Sequence, residues 1–572
     1  MADKVYDVVF VGCGSKSSAT AMYLTKYAKL SVGIFEERHE ICAGWCSEEQ
    51  IAPGWIADPC SNMHTHWPMY WGPVFEDFPE LADHGLQYIT LPVSSTFVRP
   101  DHKSFNIYSE EFDPDHKKTA ASIAQFSKKD AETWLRIWEK WKTKWQQAFY
   151  SVLFNPAGPP DQDPILALLS DPDGGLDGPL DPLWLFNYNP VQLGRELFET
   201  PEIWQLFYRV MDTSGFVGSE SGMGFMSLLG TLFWTHYGIV QGGTHHLAHA
   251  VQRVITENGG EIFQRCPVEK ILIQNGSAKG IRLMDGTEIE ARTAVVSSVD
   301  IPQLMFDLVG AEHFEPIDVT RVKNLSADYN ALFWYYYGWK EHPEFIAAKD
   351  NPDVKWSGYI SLGQHFPSLE TVKIYDALRR LGGEIPKDRL EVVIANRTQC
   401  DPTRAPSPEY STAIVDVFSK QGIWSRREFM KFFRKLEKDI HDVITEYAPN
   451  LTRDKMVGHG VEGPTALWSM SRSFYRGNWG GLDLNSWQVG TSRPTPNLSS
   501  GRMPVKNLYA VGMCFYPMSF ASIWGGYNCY KLMSEDLGLP KPWVDKGRVP
   551  ESVETAYKHC GAFRAKYQFS YS

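Results

Sequence analysis

The sequence predicts an α/β fold: a doubly wound nucleotide-binding domain assembled from three stretches of chain, with an α+β second domain inserted in two. Three observations carry this. Residues 5–11 (VYDVVFV) are a short, β-prone apolar run of the kind buried on both sheet faces. Glycines follow, then a helical pattern over 17–27 and a second β run over 31–35, a β-α-β unit within about 30 residues. The texture becomes rich in Trp, Pro and Asp from Trp67, returns to α/β near residue 240, and closes on a β run at 507–511 that meets Gly512. The expected division is 1–75, 240–310 and 456–540 for the nucleotide domain, 76–239 and 311–455 for the second domain, and 541–572 for a tail.

The remaining elements follow from local pattern. A helix is expected over 131–152, where Trp134, Trp138, Trp141 and Trp145 recur at helical spacing and form a stripe facing the core, a tunnel or a membrane. Residues 155–182 read as a loop dense in Pro, Asp and Gly, and 225–234 as a buried helix. Residues 247–257 look helical with Gly259 and Gly260 as cap, followed by strands at 261–264 and 268–274. Strands at 279–283 and 288–291 form a hairpin around Asp285-Gly286, and 293–298 is a further strand. Tyr335, Tyr336, Tyr337 and Trp339 lie in an apolar strand, and a charged amphipathic helix covers 426–447.

Composition narrows the function classes. Fifty-six basic against 68 acidic residues give a net charge of −12, which argues against a nucleic-acid partner. Nine scattered cysteines make no disulfide framework and suit a reducing compartment. Aromatic residues are 13% of the chain, enough to line a core or an apolar cavity. The N-terminus has no leader pattern and no stretch reaches the ~18 apolar residues of a spanning helix, so a cytoplasmic protein is expected, with surface contact to a membrane and oligomerisation left open.

The chemistry-bearing motif is Gly12-x-Gly14-x-x-Ser17, placed between strand and helix. Gly12 permits the tight turn, Gly14 lets the backbone approach a pyrophosphate, and Ser17 is small enough for helix–strand packing. Glu36 ends the second strand 22 residues after Gly14, where a carboxylate accepts ribose hydroxyl hydrogen bonds. A single fingerprint leaves no second site for a soluble nicotinamide.

Residues 35–44 (FEERHEICAG), Gln241-Gly242-Gly243-Thr244, 295–300, Asp401 to Pro406, Asn478-Trp479-Gly480-Gly481, Arg493-Pro494 and 508–512 with Pro517 occur in one order. This ordered set resembles the phytoene desaturase, carotenoid isomerase and retinol saturase family of FAD oxidoreductases, with its pyridine nucleotide-disulfide oxidoreductase domain-containing relatives. The resemblance implies FAD as cofactor, in an interleaved Rossmann-like domain of the flavin amine oxidase type. It implies FAD contacts from Gly12, Cys13, Gly14, Ser17, Glu36, Glu37, Gly44, Trp45, Val268, Gly512, Met513, Ala521 and Ser522. Two departures stand out: Cys42-Ala43 replaces a glycine pair, and Met518-Ser519-Phe520 replaces the glycine run beside the isoalloxazine. Met518 and Phe520 are expected to narrow the cavity, with Tyr335 and Tyr337 lining it.

The implied activity is hydride transfer to flavin from an apolar isoprenoid-like or alicyclic substrate, a small terpene among them. The electron acceptor, whether quinone, electron-transfer protein or oxygen, is not legible, and Tyr516 is the nearest candidate for a proton-handling group. A carotenoid desaturase, a flavin-dependent isomerase or hydratase without net redox, and a non-enzymatic prenyl-binding escort stand as alternatives. No metal is expected: Cys42 and Cys46 lack ligand spacing, and His64, His66, His245, His246 and His249 lack an acidic partner in sequence.

Overall fold

The computed structural model describes residues 3–565 apart from 205–207, 209–214, 330–331, 364–368, 382, 419–424, 519 and 521. The first apolar run forms β1 (Lys4–Val11), the glycine turn leads into α1 (Ser15–Lys26), and β2 (Val32–Phe35) pairs with β1 in parallel. Strand Glu261–Phe263 extends the sheet beyond β2, while Glu288–Ser297 pairs in parallel with the other edge of β1. Strand Leu508–Ala510 lies parallel to Glu288–Ser297 in turn, so chain from near both termini and the middle meets in one seven-stranded sheet. The two expected strands at 288–291 and 293–298 are one strand. β1 runs parallel to it from Ile289 to Ser297, Ser277–Leu283 pairs antiparallel with its first half on the other side, and no Gly or Pro divides it.

A second seven-stranded sheet runs Met456–Glu462, Leu332–Trp339, Ser411–Phe418, Val392–Asn396, Ile360–Leu362, Val93–Val98 and Ser104–Tyr108. Met456–Glu462, expected at the start of the third nucleotide stretch, pairs with Leu332–Trp339 in this second sheet. Helix Arg426–Tyr447 opens on a capping box, Ser425 with Glu428, and lays its apolar side on this sheet. A small third sheet joins His64–Thr65, Tyr237–Val240 and Tyr88–Thr90.

The tryptophan stripe lies on one continuous helical stretch, Lys128–Lys140, Trp141–Trp145 and Gln146–Phe154, with wider winding in its middle. All four rings are buried, and three indoles donate inward, Trp134 to His116 Nδ1, Trp138 to Pro114 O and Trp145 to Gly174 O. The stripe is core. The segment after 540 packs back onto the body through Trp543 and through Phe563, whose ring stacks 4.0 Å from Phe75. Among the described residues no helix is long and apolar enough to cross a membrane.

Candidate functional site

A cleft of about 990 Å³ opens at the carboxyl end of β1. Gly12, Cys13, Gly14, Glu36, Glu37, Ala43, Gly44, Val268, Gly512 and Met513 line it, a set that unites most of the residues singled out in the sequence. Gly12 has φ +83°, and a Cβ there would stand 2.7 Å from Ser298 Oγ, so only glycine fits. At Gly14 a Cβ would meet Ser298 Oγ at an ordinary 3.7 Å. The protein side has room, so the demand for glycine comes from the cleft, where a side chain would fill the space a pyrophosphate needs. Ser17 Oγ donates to the carbonyls of Gly12 and Gly14 and ties the turn to the first turn of α1.

Glu36 accepts from the Cys13 amide at 2.7 Å through Oε2 and from the Arg38 amide at 2.9 Å through Oε1. Burial pushes its carboxyl up, while the two amides pull it back. Its remaining lone pairs suit ribose hydroxyls. Where the resemblance expects glycine, Cys42 holds φ +53°, so the chain keeps the left-handed turn that glycine favours and Ala43 still reaches the cleft. Trp45 is not at the cleft. It is fully buried beneath it, its ring 6.1 Å from that of Trp71. Ser522 is buried before helix Trp524–Leu537, with an Oγ that has no partner among the described residues, as a hydroxyl awaiting a ligand would be. Ala521 lies outside the described residues. These donors, acceptors and open backbone fit a dinucleotide such as FAD.

Lys16 was not anticipated. Its side chain lines the cleft, its ammonium donates to the Phe520 carbonyl, and burial lowers its pKa to about 7, with Arg493 adding to the shift. A charged residue inside a fingerprint turn was the available signal. Arg493 is itself buried and binds the carbonyls of Met513, Gly480 and Gln488, which ties these three turns together beside the cleft. Two distant motifs also meet: Asp401 accepts from Gly242 N and Arg404 Nε, and Arg404 pairs with Asp58.

Met513 lines a second, apolar cavity of about 660 Å³ as well as the cleft. Its walls are Cys60, Met63, Tyr70, Phe233, Trp234, Leu332, Trp334, Trp479 and Phe520, with Ser61, Asn62 and Thr65 as polar residues. Phe520 therefore stands at the cavity, half-buried and at φ +32°, a left-handed conformation where the related pattern has glycine. Met518 is buried in the core and off the cavity wall, and Ser519 lies outside the described residues.

The tyrosines are placed otherwise than expected. Tyr335 and Tyr337 face helix Arg426–Tyr447, where Tyr335 donates to the Phe433 carbonyl at 3.2 Å and Tyr337 packs near Glu437. The even-numbered Leu332 and Trp334 face the cavity, one residue out of phase with the expectation. Tyr516 lines neither space. Its hydroxyl donates to the Val152 carbonyl at 3.1 Å in a separate crevice.

Polar groups stand beside the cavity instead. Asp416 and Glu462 are the cross-strand neighbours of Trp334 on either side and share its face. Burial raises each carboxyl to about 7; Arg397 opposes the shift at Asp416, and the Gln50 amide opposes it at Glu462. Asn62 bonds Asp416 and accepts from Arg397 at 3.1 Å, so it connects that carboxyl to the cavity it lines. His245 is held by Glu40 at 2.9 Å, away from the cavity.

The architecture is that of an oxidoreductase fold, and the cleft is built for a dinucleotide. The chain is a homologue of named dehydrogenases and desaturases: it is 23% identical to a limonene dehydrogenase chain of Castellaniella defragrans, over 96% of this chain and 97% of that one. It is 25% identical to pyridine nucleotide-disulfide oxidoreductase domain-containing protein 2 of Mus musculus, over 93% and 94%. Phytoene desaturase (neurosporene-forming) of Rhodobacter capsulatus shares 46% identity over 76 residues, 13% of this chain and 14% of that one. Among solved structures, an oxidoreductase of Methanosarcina mazei superposes with a TM-score of 0.56 at 15% identity, covering 92% and 99% of the chains. Cyclohexylamine oxidase of Brevibacterium oxydans does so at 0.51 and 14%, covering 93% and 99%. No family model matches the chain.

Proposed function

We propose that the protein is an FAD-dependent dehydrogenase that takes hydride from an apolar, alicyclic substrate of small-terpene size. The observation that carries this is Met513, which lines both the nucleotide cleft and the apolar cavity and so places the two side by side. Gly12, Gly14, Glu36 and Val268 would hold FAD, which when bound supplies a two-electron acceptor for a substrate C–H bond. The residues of the chain bind and orient. Trp234, Trp334 and Trp479 exclude water and offer ring faces to positive charge developing on the substrate. Asp416, hydrogen-bonded to the lining Asn62, takes up the proton that leaves as the hydride does across one bridging water, since a carboxyl raised by burial to about 7 is matched to that task. The lining is mostly apolar and aromatic with a few polar groups, as in small-molecule sites, and Phe520 forms part of it.

The test is anaerobic flavin reduction by single compounds: cyclic terpenes, a linear carotenoid and a primary amine. Bleaching by the cyclic terpenes alone supports the reading. Bleaching by the amine or the carotenoid alone refutes it. Turnover of a terpene with no electron acceptor present would establish the isomerase or hydratase alternative.

A further inference from the structure

Behind the apolar cavity lies a group of donors that the oxidoreductase reading leaves unused. His66 directly follows the lining residue Thr65, and His236 comes two residues after the lining Trp234. Glu110 reaches them from beyond strand Ser104–Tyr108. One ligand atom from each of the three lies within 4.8 Å of the others, and His66 Nε2 is 3.6 Å from Glu110 Oε2. Donors held tetrahedrally around one ion at about 2.0–2.2 Å stand about 3.3–3.6 Å apart. Tyr557 Oη stands beside them, 3.1 Å from Glu110 Oε2 and 3.3 Å from both ring nitrogens of His66, and the Gln146 amide lies 3.4 Å from His66 Nε2 and 3.0 Å from Tyr557 Oη.

An independent observation points to a ligand there. His236 is 2% exposed, and neither of its ring nitrogens has a hydrogen-bond partner among the described residues. Native folds rarely leave both polar atoms of a buried side chain unmet. The cations facing the cluster are Lys142 and Arg564. Lys142 binds Glu110 Oε1, while Oε2 accepts from the Tyr557 hydroxyl, whose proton an ion would displace; the Lys142 side chain is a third exposed and free to swing outward. Arg564 is engaged by Glu111 at 2.6 Å.

We propose that His66, Glu110 and His236, with Tyr557 as fourth group, form a binding site for a zinc-class divalent cation. Two imidazoles and a carboxylate suit a borderline metal such as zinc and not a hard, oxygen-seeking ion such as calcium. The four groups come from four separate segments: the turn before helix Trp67–Trp71, the turn after Ser104–Tyr108, the lead into Tyr237–Val240, and helix Val553–Lys558. An ion there ties those segments together behind the cavity wall. His66 and His236 are buried and Glu110 nearly so, so the role of the site is a brace and not a place of reaction.

The experiment uses untagged, full-length protein. Elemental analysis after purification in zinc-containing medium is expected to find about one zinc per chain. Stripping with a chelator should lower Tm, and zinc should restore it. Cobalt added to the stripped protein should give tetrahedral d–d absorption bands saturating at one equivalent. His236→Ala and Glu110→Gln should abolish those bands, His245→Ala should leave them, and Lys142→Met should tighten the binding. Another first-row ion at one equivalent would also uphold the site. Stripped wild-type protein that takes up no cobalt at micromolar concentration, with Tm indifferent to chelator and zinc, overturns the proposal whatever the variants do.

Discussion

Phe520→Gly tests the shape of the cavity most sharply. The ring closes one wall between Trp479, 6.4 Å away centroid to centroid, and Trp524, 6.0 Å away. Deleting a fully buried Phe costs about 3–5 kcal/mol. Phe520 is only half-buried and faces open cavity, so fewer contacts are lost. Its φ of +32° is also relieved by glycine, which returns roughly 1 kcal/mol. The net loss should be about 1–2 kcal/mol. Lys16 keeps its bond to the carbonyl of residue 520 in the variant, because that bond is to backbone. The assay is chemical denaturation together with kcat/KM on a size-graded series of cyclic and linear terpenes. The variant should shift toward longer substrates while the smallest lose rate through looser positioning. An unchanged size profile, or a loss above about 4 kcal/mol, would refute the reasoning: the first removes Phe520 from the cavity, the second makes it core.

Glu36→Ala should weaken FAD binding by about 10–100-fold, the worth of a charged hydrogen bond, read by fluorescence titration; unchanged affinity would remove Glu36 from the ribose site. For Asp416, kcat/KM should rise through about pH 7, since only the carboxylate accepts a proton, and Asp416→Asn should flatten that rise while Glu462→Gln preserves it. The same shift has a stability signature. A carboxyl raised from 3.8 to about 7 binds its proton more tightly in the folded state, so its stabilising contribution is lost as pH rises through about 7. Asp416→Asn should therefore gain stability relative to wild type between pH 5 and 8, measured by denaturation at each pH. Tyr335→Phe should cost about 1 kcal/mol through loss of its bond to the Phe433 carbonyl and leave substrate preference untouched.

What was legible in the sequence was local. The β1–α1–β2 unit announces itself through a continuous apolar run, two glycines at fixed positions and a carboxylate at the next strand end, and each clue lies within about 30 residues. The face of the Leu332–Trp339 strand was not legible. It is buried on both sides, so no polar alternation marks which rings meet helix Arg426–Tyr447 and which meet the cavity. Asp416 could not be singled out among many acidic residues. Its meaning comes from standing opposite Trp334 across one pair of strands and beside Asn62, more than 350 residues earlier. The sheet that strand Met456–Glu462 joins is hidden for the same reason: pairing is a non-local property that the strand's own residues do not state. Tyr516 drew notice by its place beside Pro517, yet the chain turns its hydroxyl toward Val152.

The central claim is that the nucleotide cleft and the apolar cavity meet at Met513, so that a substrate in one reaches the flavin in the other. A crystal structure of the protein with FAD and a non-reactive cyclic terpene tests it directly. Flavin is expected against Met513 and Gly512, with a ring carbon of the ligand about 3–3.5 Å from the flavin's reactive nitrogen and framed by Trp334, Trp479 and Phe520. Flavin elsewhere, or a ligand separated from it by protein, would contradict the account.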